Sequence, residues 1–148
     1  MKIAEKLGKM TGTLKFSIVE AATGMLISEH TVKNLITDNG YHAAAQALAG
    51  VPGVGIKSIS VGDSTVPPAL SDTMIQSAVN VPISSVEYPD NASVRFNFRI
   101  SSGTANGLNI TEFGLFTQDG RMFSRLVRPE VISKTSGIEV IGGWVINI

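Results

Sequence analysis

The chain has no cysteine. That absence excludes a disulfide scaffold, thiolate zinc sites, iron–sulfur clusters and cysteine nucleophiles. Charge is also scarce. Charged residues make up 16% of the sequence, with 12 basic against 12 acidic side chains, whereas typical soluble domains carry about 25%. A neutral, lightly charged surface resists self-association poorly, which points weakly toward a subunit of an assembly and equally admits an ordinary monomer. No run approaches the roughly 20 apolar residues of a membrane-spanning helix. The opening MKIAEKLGKM has lysines but no apolar stretch after them, so it is not read as a signal peptide. The sequons at Asn91 and Asn109 are therefore read as chance matches.

Histidine is scarce too, at two residues, His30 and His42. Neither lies in a metal-binding pattern such as His-Glu-x-x-His, and no calcium loop is present. GVPGVG at 50–55 is glycine-rich but lacks the lysine and hydroxyl residue of a phosphate-binding loop. It reads as a flexible link between a helix and a strand. No metal ligand, cofactor-binding residue or cofactor is assigned.

What is present is mostly strand periodicity. The 148 residues suit one domain, able to bury roughly two-thirds of its unfolded surface. In GTLKFSI, Leu14, Phe16 and Ile18 alternate with Thr13, Lys15 and Ser17. In SVRFNFRIS, Val94, Phe96, Phe98 and Ile100 share one face, and polar residues the other, as in an antiparallel sheet with one wet side. The last run puts Ile138, Val140, Trp144, Ile146 and Ile148 on one face, and Gly142-Gly143 is expected to form a bulge or bend there. ATG at 22–24 and QDG at 118–120 are hairpin signals.

One helix is expected in NGYHAAAQALAG, with Asp38 as N-cap, Tyr41, Ala45 and Leu48 on one face, and Gly50 as the left-handed stop. Gly40 weakens that expectation. Residues 62–92 contain four prolines and read as a long, largely irregular connection. The pattern is two strands, a helix, a strand, a long loop and four more strands. It predicts a mainly β fold, a small antiparallel β-sandwich with one α-helix packed at one end, over residues 12–148, preceded by an N-terminal arm at 1–11. The arm has no apolar periodicity and is expected to order only against a partner.

Three sets of residues invite chemistry. ISVGDST at 59–65 resembles the start of the GDS box of a family of serine esterases, which would make Ser64 a nucleophile. A serine nucleophile needs a base within hydrogen-bond reach, and in those esterases the histidine lies near the C-terminus. Here both histidines precede the serine. An esterase is therefore only a remote alternative, no catalytic residue is assigned, and the chain is read as not an enzyme. Arg95, Arg99, Arg121, Arg125 and Arg128 are the candidates for a basic patch, although zero net charge argues against dedicated nucleic-acid binding. A solvated sheet face, or a contact with acidic surfaces of a neighbouring subunit, are the other readings. In TEFGLFTQ both faces carry large apolar groups, so the strand is expected to be buried on both sides. Gly114 would admit close approach of a neighbouring backbone. Glu112 would pair with Arg121 or Arg125, or else lie exposed at a sheet edge.

Four segments, in order, carry a resemblance. VKNLITDNGYHAAAQALAG, IKSISVGDSTVPPALSDTMI with its Asp72-Thr73 pair, NGLNITEFGLFTQDGRMFSRLV, and VISKTSGIEVIGGWVINI with its single tryptophan resemble the tail-fibre, tail-collar and baseplate-associated structural proteins of tailed bacteriophages. The resemblance runs from about residue 12 to the last residue and covers their shared N-terminal domain, without a receptor-binding extension. It implies a virion structural protein located in the particle and assembled in the bacterial host cytoplasm. Such a protein would be a connector or accessory subunit of tail, baseplate, collar or neck, or alternatively a head-attached decoration or fibre protein. The implied partners are other virion proteins and further copies in a symmetric homo-oligomer, with no membrane and no small-molecule substrate. The arm and the 62–92 loop are the expected docking segments.

Overall fold

A computed structural model describes residues 9–148. Residues 1–8, most of the expected arm, lie outside the described residues. The chain forms β1 (Thr11–Glu20), β2 (Leu26–Lys33), β3 (Leu35–Ile36), α1 (Asp38–Leu48), β4 (Ile56–Gly62), β5 (Val79–Pro82), β6 (Ser85–Glu87), β7 (Ser93–Ile100), β8 (Asn109–Thr117), β9 (Met122–Ser133) and β10 (Ile138–Asn147). All pairings are antiparallel, in two five-stranded sheets ordered β2-β1-β10-β7-β6 and β3-β9-β8-β4-β5. Over the described residues the fold is the expected mainly β sandwich with one helix.

Alternation builds the core. Leu14, Phe16, Phe98, Ile100, Val140 and Trp144 point inward from the first sheet. Ile59, Val61, Phe113, Leu115 and Leu126 answer from the second. Phe16 and Phe113 meet across the gap with ring centroids 5.4 Å apart. A bulge between Ile18 and Val19 in the β1–β2 pairing breaks the simple alternation, and Val19 is buried.

Both hairpin signals form turns, with Gly24 and Gly120 at positive φ. The helix ends as expected. Gly50 takes φ 79°, its amide donates to the Ala47 carbonyl, and the Val51 amide reaches back to Gln46, the Schellman arrangement.

Several expectations are corrected. The connection at 62–92 is not one irregular loop, because its second half supplies β5 on the edge of one sheet and β6 on the edge of the other. Gly142-Gly143 makes no bulge. The β1–β10 register runs unbroken from Thr11–Asn147 to Glu20–Ile138. These glycines instead make room, since a Cβ on Gly142 would come within 2.6 Å of the Phe98 ring and one on Gly143 within 2.8 Å of Arg95. Ile148 does not continue the core face and is 78% exposed. The N-cap is Thr37 rather than Asp38, its Oγ1 accepting from the Gly40 amide at 3.0 Å and donating to the Met122 carbonyl at 2.7 Å. The helix also packs on a different face. Tyr41, Ala45 and Leu48 are exposed, and Gly40 and Ala43 are buried. Gly40 explains the choice. A Cβ there would sit 2.1 Å from the Phe123 carbonyl, so the helix lies on β9 at a distance only glycine permits. β1 starts at Thr11, one residue inside the stretch read as arm.

Candidate functional site: a buried ion network beneath an apolar loop

β8 is buried on both faces because three layers meet there. Phe113 and Leu115 face the other sheet, while residues 63–76 lie over the outer face at Glu112 and Gly114. Gly62 and Gly114 leave a trough that the buried Ile75 side chain fills. A Cβ on Gly62 would approach the Gln76 carbonyl to 2.2 Å, so the backbone of the loop itself rests on the end of β4. At Gly114 the close neighbours are the Phe116 and Ile75 side chains rather than a backbone.

Glu112 sits in this layer, fully buried. Of the two arginines proposed across the hairpin, Arg125 is its partner. Arg125 Nε donates to Glu112 Oε1 at 3.4 Å, Nη1 to Asp72 Oδ2 at 2.9 Å, and Nη2 to the Val66 carbonyl at 3.0 Å. The planar, multidentate guanidinium suits this role where a lysine would not. The other Glu112 oxygen accepts from the Ser64 amide at 2.5 Å. Asp72 Oδ2 also accepts from the Ala69 amide at 2.8 Å, and the Asp38 amide donates to the Leu70 carbonyl at 2.9 Å. The network thus bolts the loop to β8, β9 and α1. In the sequence Asp72 stands out only as half of the Asp72-Thr73 pair. Its partner lies 53 residues away, a separation no local pattern reports.

Ser64 is part of the same structure. Its amide donates to Glu112, its carbonyl accepts from Thr111 Oγ1 at 2.7 Å, and its hydroxyl accepts from the Val66 amide at 3.2 Å. The last contact is the turn bond expected of a serine in this position. The histidines are engaged or placed elsewhere. His30, on β2, stacks on Phe16 at 5.0 Å, and its ring nitrogens meet Ser28 Oγ at 2.9 Å and Arg128 Nη2 at 3.3 Å. His42 is exposed on α1.

The five arginines do not gather into one patch. Arg95 and Arg99 lie on β7 in one sheet, Arg125 and Arg128 on β9 in the other, and Arg121 just before β9. Each has an acidic partner within the chain. Arg95 meets Glu87 at 3.7 Å, Arg121 meets Asp119 at 3.0 Å, Arg128 meets Glu130 at 3.3 Å, and Arg99 pairs with Glu139. Arg125 and Arg128 are buried, not solvated. The Arg128 guanidinium lies 4.9 Å over the Phe16 ring, and burial lowers its pKa.

Hydrogen bonding from Arg99, ahead of an opposing desolvation effect, holds the Glu139 carboxyl below its ordinary 4.5, and the Ser102 amide adds to this at 3.1 Å. A carboxylate depressed by folding stabilises the folded state above its unfolded pKa, and that contribution disappears as pH falls through the folded pKa. Stability is therefore expected to drop on acidification below about pH 4.5. Urea titrations from pH 6 to about 3 should show a shallower drop for Glu139→Gln, and identical slopes would refute the assignment.

Among the described residues no group of three or more acidic or histidine side chains is placed to hold a metal ion. The loop exposes three large apolar side chains among polar ones such as Thr65, Ser71 and Gln76. Val66 is 65% exposed, Leu70 49% and Met74 73%. Met74 stands between two open cavities of about 330 and 560 Å³, one over Glu112 and Arg125, the other along β4, β5 and the Phe116–Gly120 turn. Val86, on the β6 edge of the other sheet, and Tyr88 are also exposed. Comparison of the chain with protein-family models, curated proteins and solved structures finds no match.

Proposed function

We propose that this protein is a structural subunit of a tailed-phage particle, in the tail, baseplate, collar or neck. It acts through interfaces with other virion proteins and with copies of itself, and not through catalysis. The order of the four sequence segments motivates the particle. The observation that carries the mode of action is the loop at 63–76, where exposed Val66, Leu70 and Met74 ride on a backbone tied down by Glu112, Arg125 and Asp72. Exposed apolar side chains on a soluble surface mark interaction sites when they cluster. A loop already held in one conformation loses little entropy on docking, so more of the contact energy becomes affinity. The surroundings of the Ser64 hydroxyl support the non-catalytic reading, because among the described residues its one hydrogen-bond partner is the Val66 amide, whereas a nucleophile needs a base within reach.

The test is incorporation. Val66→Ser, Leu70→Ser and Met74→Ser together change exposed groups and should leave stability within about 0.5 kcal/mol per site. Particles assembled with this triple variant are expected to lose the protein, and gold labelling of the parent is expected to mark the tail end. Full incorporation of the triple variant would overturn the docking role. Label on the head would favour a decoration protein.

A further inference from the structure

A strand at the edge of a sheet presents a row of unpaired N–H and C=O groups, a template for another strand. Three of the sheet edges here are short, with two residues in β3, four in β5 and three in β6. The remaining edge is β2, whose eight residues, LISEHTVK, include neither proline nor glycine. Among the described residues no strand pairs with its outer side. The ladder with β1 shows which groups face outward. Thr13 to Ile18 oppose Lys33 to Ser28, and one step beyond, the Asn34 amide donates to the Gly12 carbonyl at 3.1 Å. Opposed pairs in an antiparallel ladder alternate between exchanging hydrogen bonds and not. Ser28, His30 and Val32 therefore bond to β1, and the backbone groups of Glu29, Thr31 and Lys33 point away from the sheet. The side chains of these three are exposed on its open face.

We propose that β2 pairs antiparallel with β2 of a second copy about a two-fold axis at Thr31, joining the two sheets edge to edge. In this register Thr31 faces its own counterpart, and Glu29 of each copy opposes the partner's Lys33. These are the positions whose backbone groups face outward, so each opposed pair exchanges both N–H···O bonds. Opposite charges directly across a ladder favour pairing, and like charges oppose it. An axis at Glu29 or at Lys33 would set like charges against each other, and one at His30 or Val32 would break both Glu–Lys pairs. The strand is thus complementary to itself in one register. Lysines of one sign guard many natural edges against such pairing, whereas this edge carries its own counter-charge. Among the described residues neither Glu29 nor Lys33 has an ion-pair partner within the chain. The same register brings Leu26 and Ile27 of each copy, both exposed, to the partner's crossover at Asn34 and Leu35. The pairing belongs to the other sheet from the 63–76 loop. It is a property of the free chain and does not rest on a place in a particle.

Charge reversal in the full chain tests the register, with sedimentation velocity as the readout. The parent is expected to show a monomer–dimer equilibrium. Glu29→Lys alone and Lys33→Glu alone should each weaken the dimer about tenfold. Mixing the two singly reversed chains should restore it as a heterodimer, and so should both reversals in one chain. Thr31→Pro removes an amide that faces solvent in the monomer, a position where an edge strand tolerates proline, and should abolish the dimer. The Val66, Leu70 and Met74 serine variant should dimerise like the parent. A monomeric parent, a dimer that survives Thr31→Pro, or single reversals that mixing does not rescue would each overturn the pairing. Should Thr31→Pro fail to fold, the reversals, on exposed side chains, decide alone. A monomeric parent that is still incorporated into particles would remove the pairing and leave the virion role standing. A dimer absent from particles would do the opposite.

Discussion

Arg125→Met is expected to destabilise the fold by about 3–5 kcal/mol, because it leaves a buried carboxylate without its counter-charge. Glu112 is fully buried and the Arg125 side chain only 5% exposed. With the guanidinium gone, Glu112 keeps only the Ser64 amide and Asp72 only the Ala69 amide, and the Val66 carbonyl loses its partner. The ion pair is not thereby a large net source of stability. Desolvation of both charges offsets much of their attraction, and replacing both partners by apolar groups is often neutral or favourable. Arg125→Met with Glu112→Leu should therefore recover most of the loss in urea denaturation. The double variant is also expected to loosen the loop, since Asp72 and the Val66 carbonyl would no longer be tied to β9. Hydrogen exchange at the Ser64 and Ala69 amides, both bonded to network carboxylates, would rise even where stability returns. A single variant within about 1 kcal/mol of the parent would show that the network is not desolvated as the geometry implies.

Trp144→Ala is expected to cost about 3–5 kcal/mol. The indole is fully buried on β10 between Leu14 of β1 and Phe96 of β7 in register. Its removal opens a cavity in the centre of a sheet whose neighbours are held by ladders on both sides and cannot collapse into it. For a chain of this length the melting temperature should fall on the order of 10 °C. Trp144→Phe is expected to cost much less. Trp144 Nε1 is buried without a hydrogen-bond partner, and an unsatisfied donor costs about 1–3 kcal/mol that phenylalanine does not incur. The chain has one tryptophan, so circular dichroism rather than fluorescence must report these transitions. Equal losses for alanine and phenylalanine would show that a single ring does not fill the site and that the lost indole volume outweighs relief of the unpaired N–H.

The sandwich was legible because its signal is local. Val94 to Ile100 alternate with a period of two, and that period is the geometry of a strand with one face inward. Asp119-Gly120 and Gly24 mark turns because positive φ has few occupants. Gly50 marks a helix end for the same reason. The two-sided burial of β8 was legible from apolar groups on both faces, whereas the hairpin offered Glu112 either Arg121 or Arg125, or an exposed edge, and only the structure selected Arg125.

Other features depend on what approaches from elsewhere in the chain. Tyr41 and Leu48 look like the core face of α1 because they are large, but Gly40 and Ala43 are the residues that let the helix touch the Phe123 carbonyl. Gly142 looks like a break in β10, yet it gives way to the Phe98 ring of the neighbouring strand. Small residues report an approach only when the approaching group is known. The same holds for ISVGDST. Its residues by themselves determined a strand that ends at a glycine and enters a turn. Tertiary structure alone decided that Ser64 is held between Glu112 and Thr111, and that Asp72 closes the network through Arg125. The reason is that φ, ψ and side-chain alternation are properties of adjacent residues, whereas a buried charge is stable only where distant segments bring it a partner.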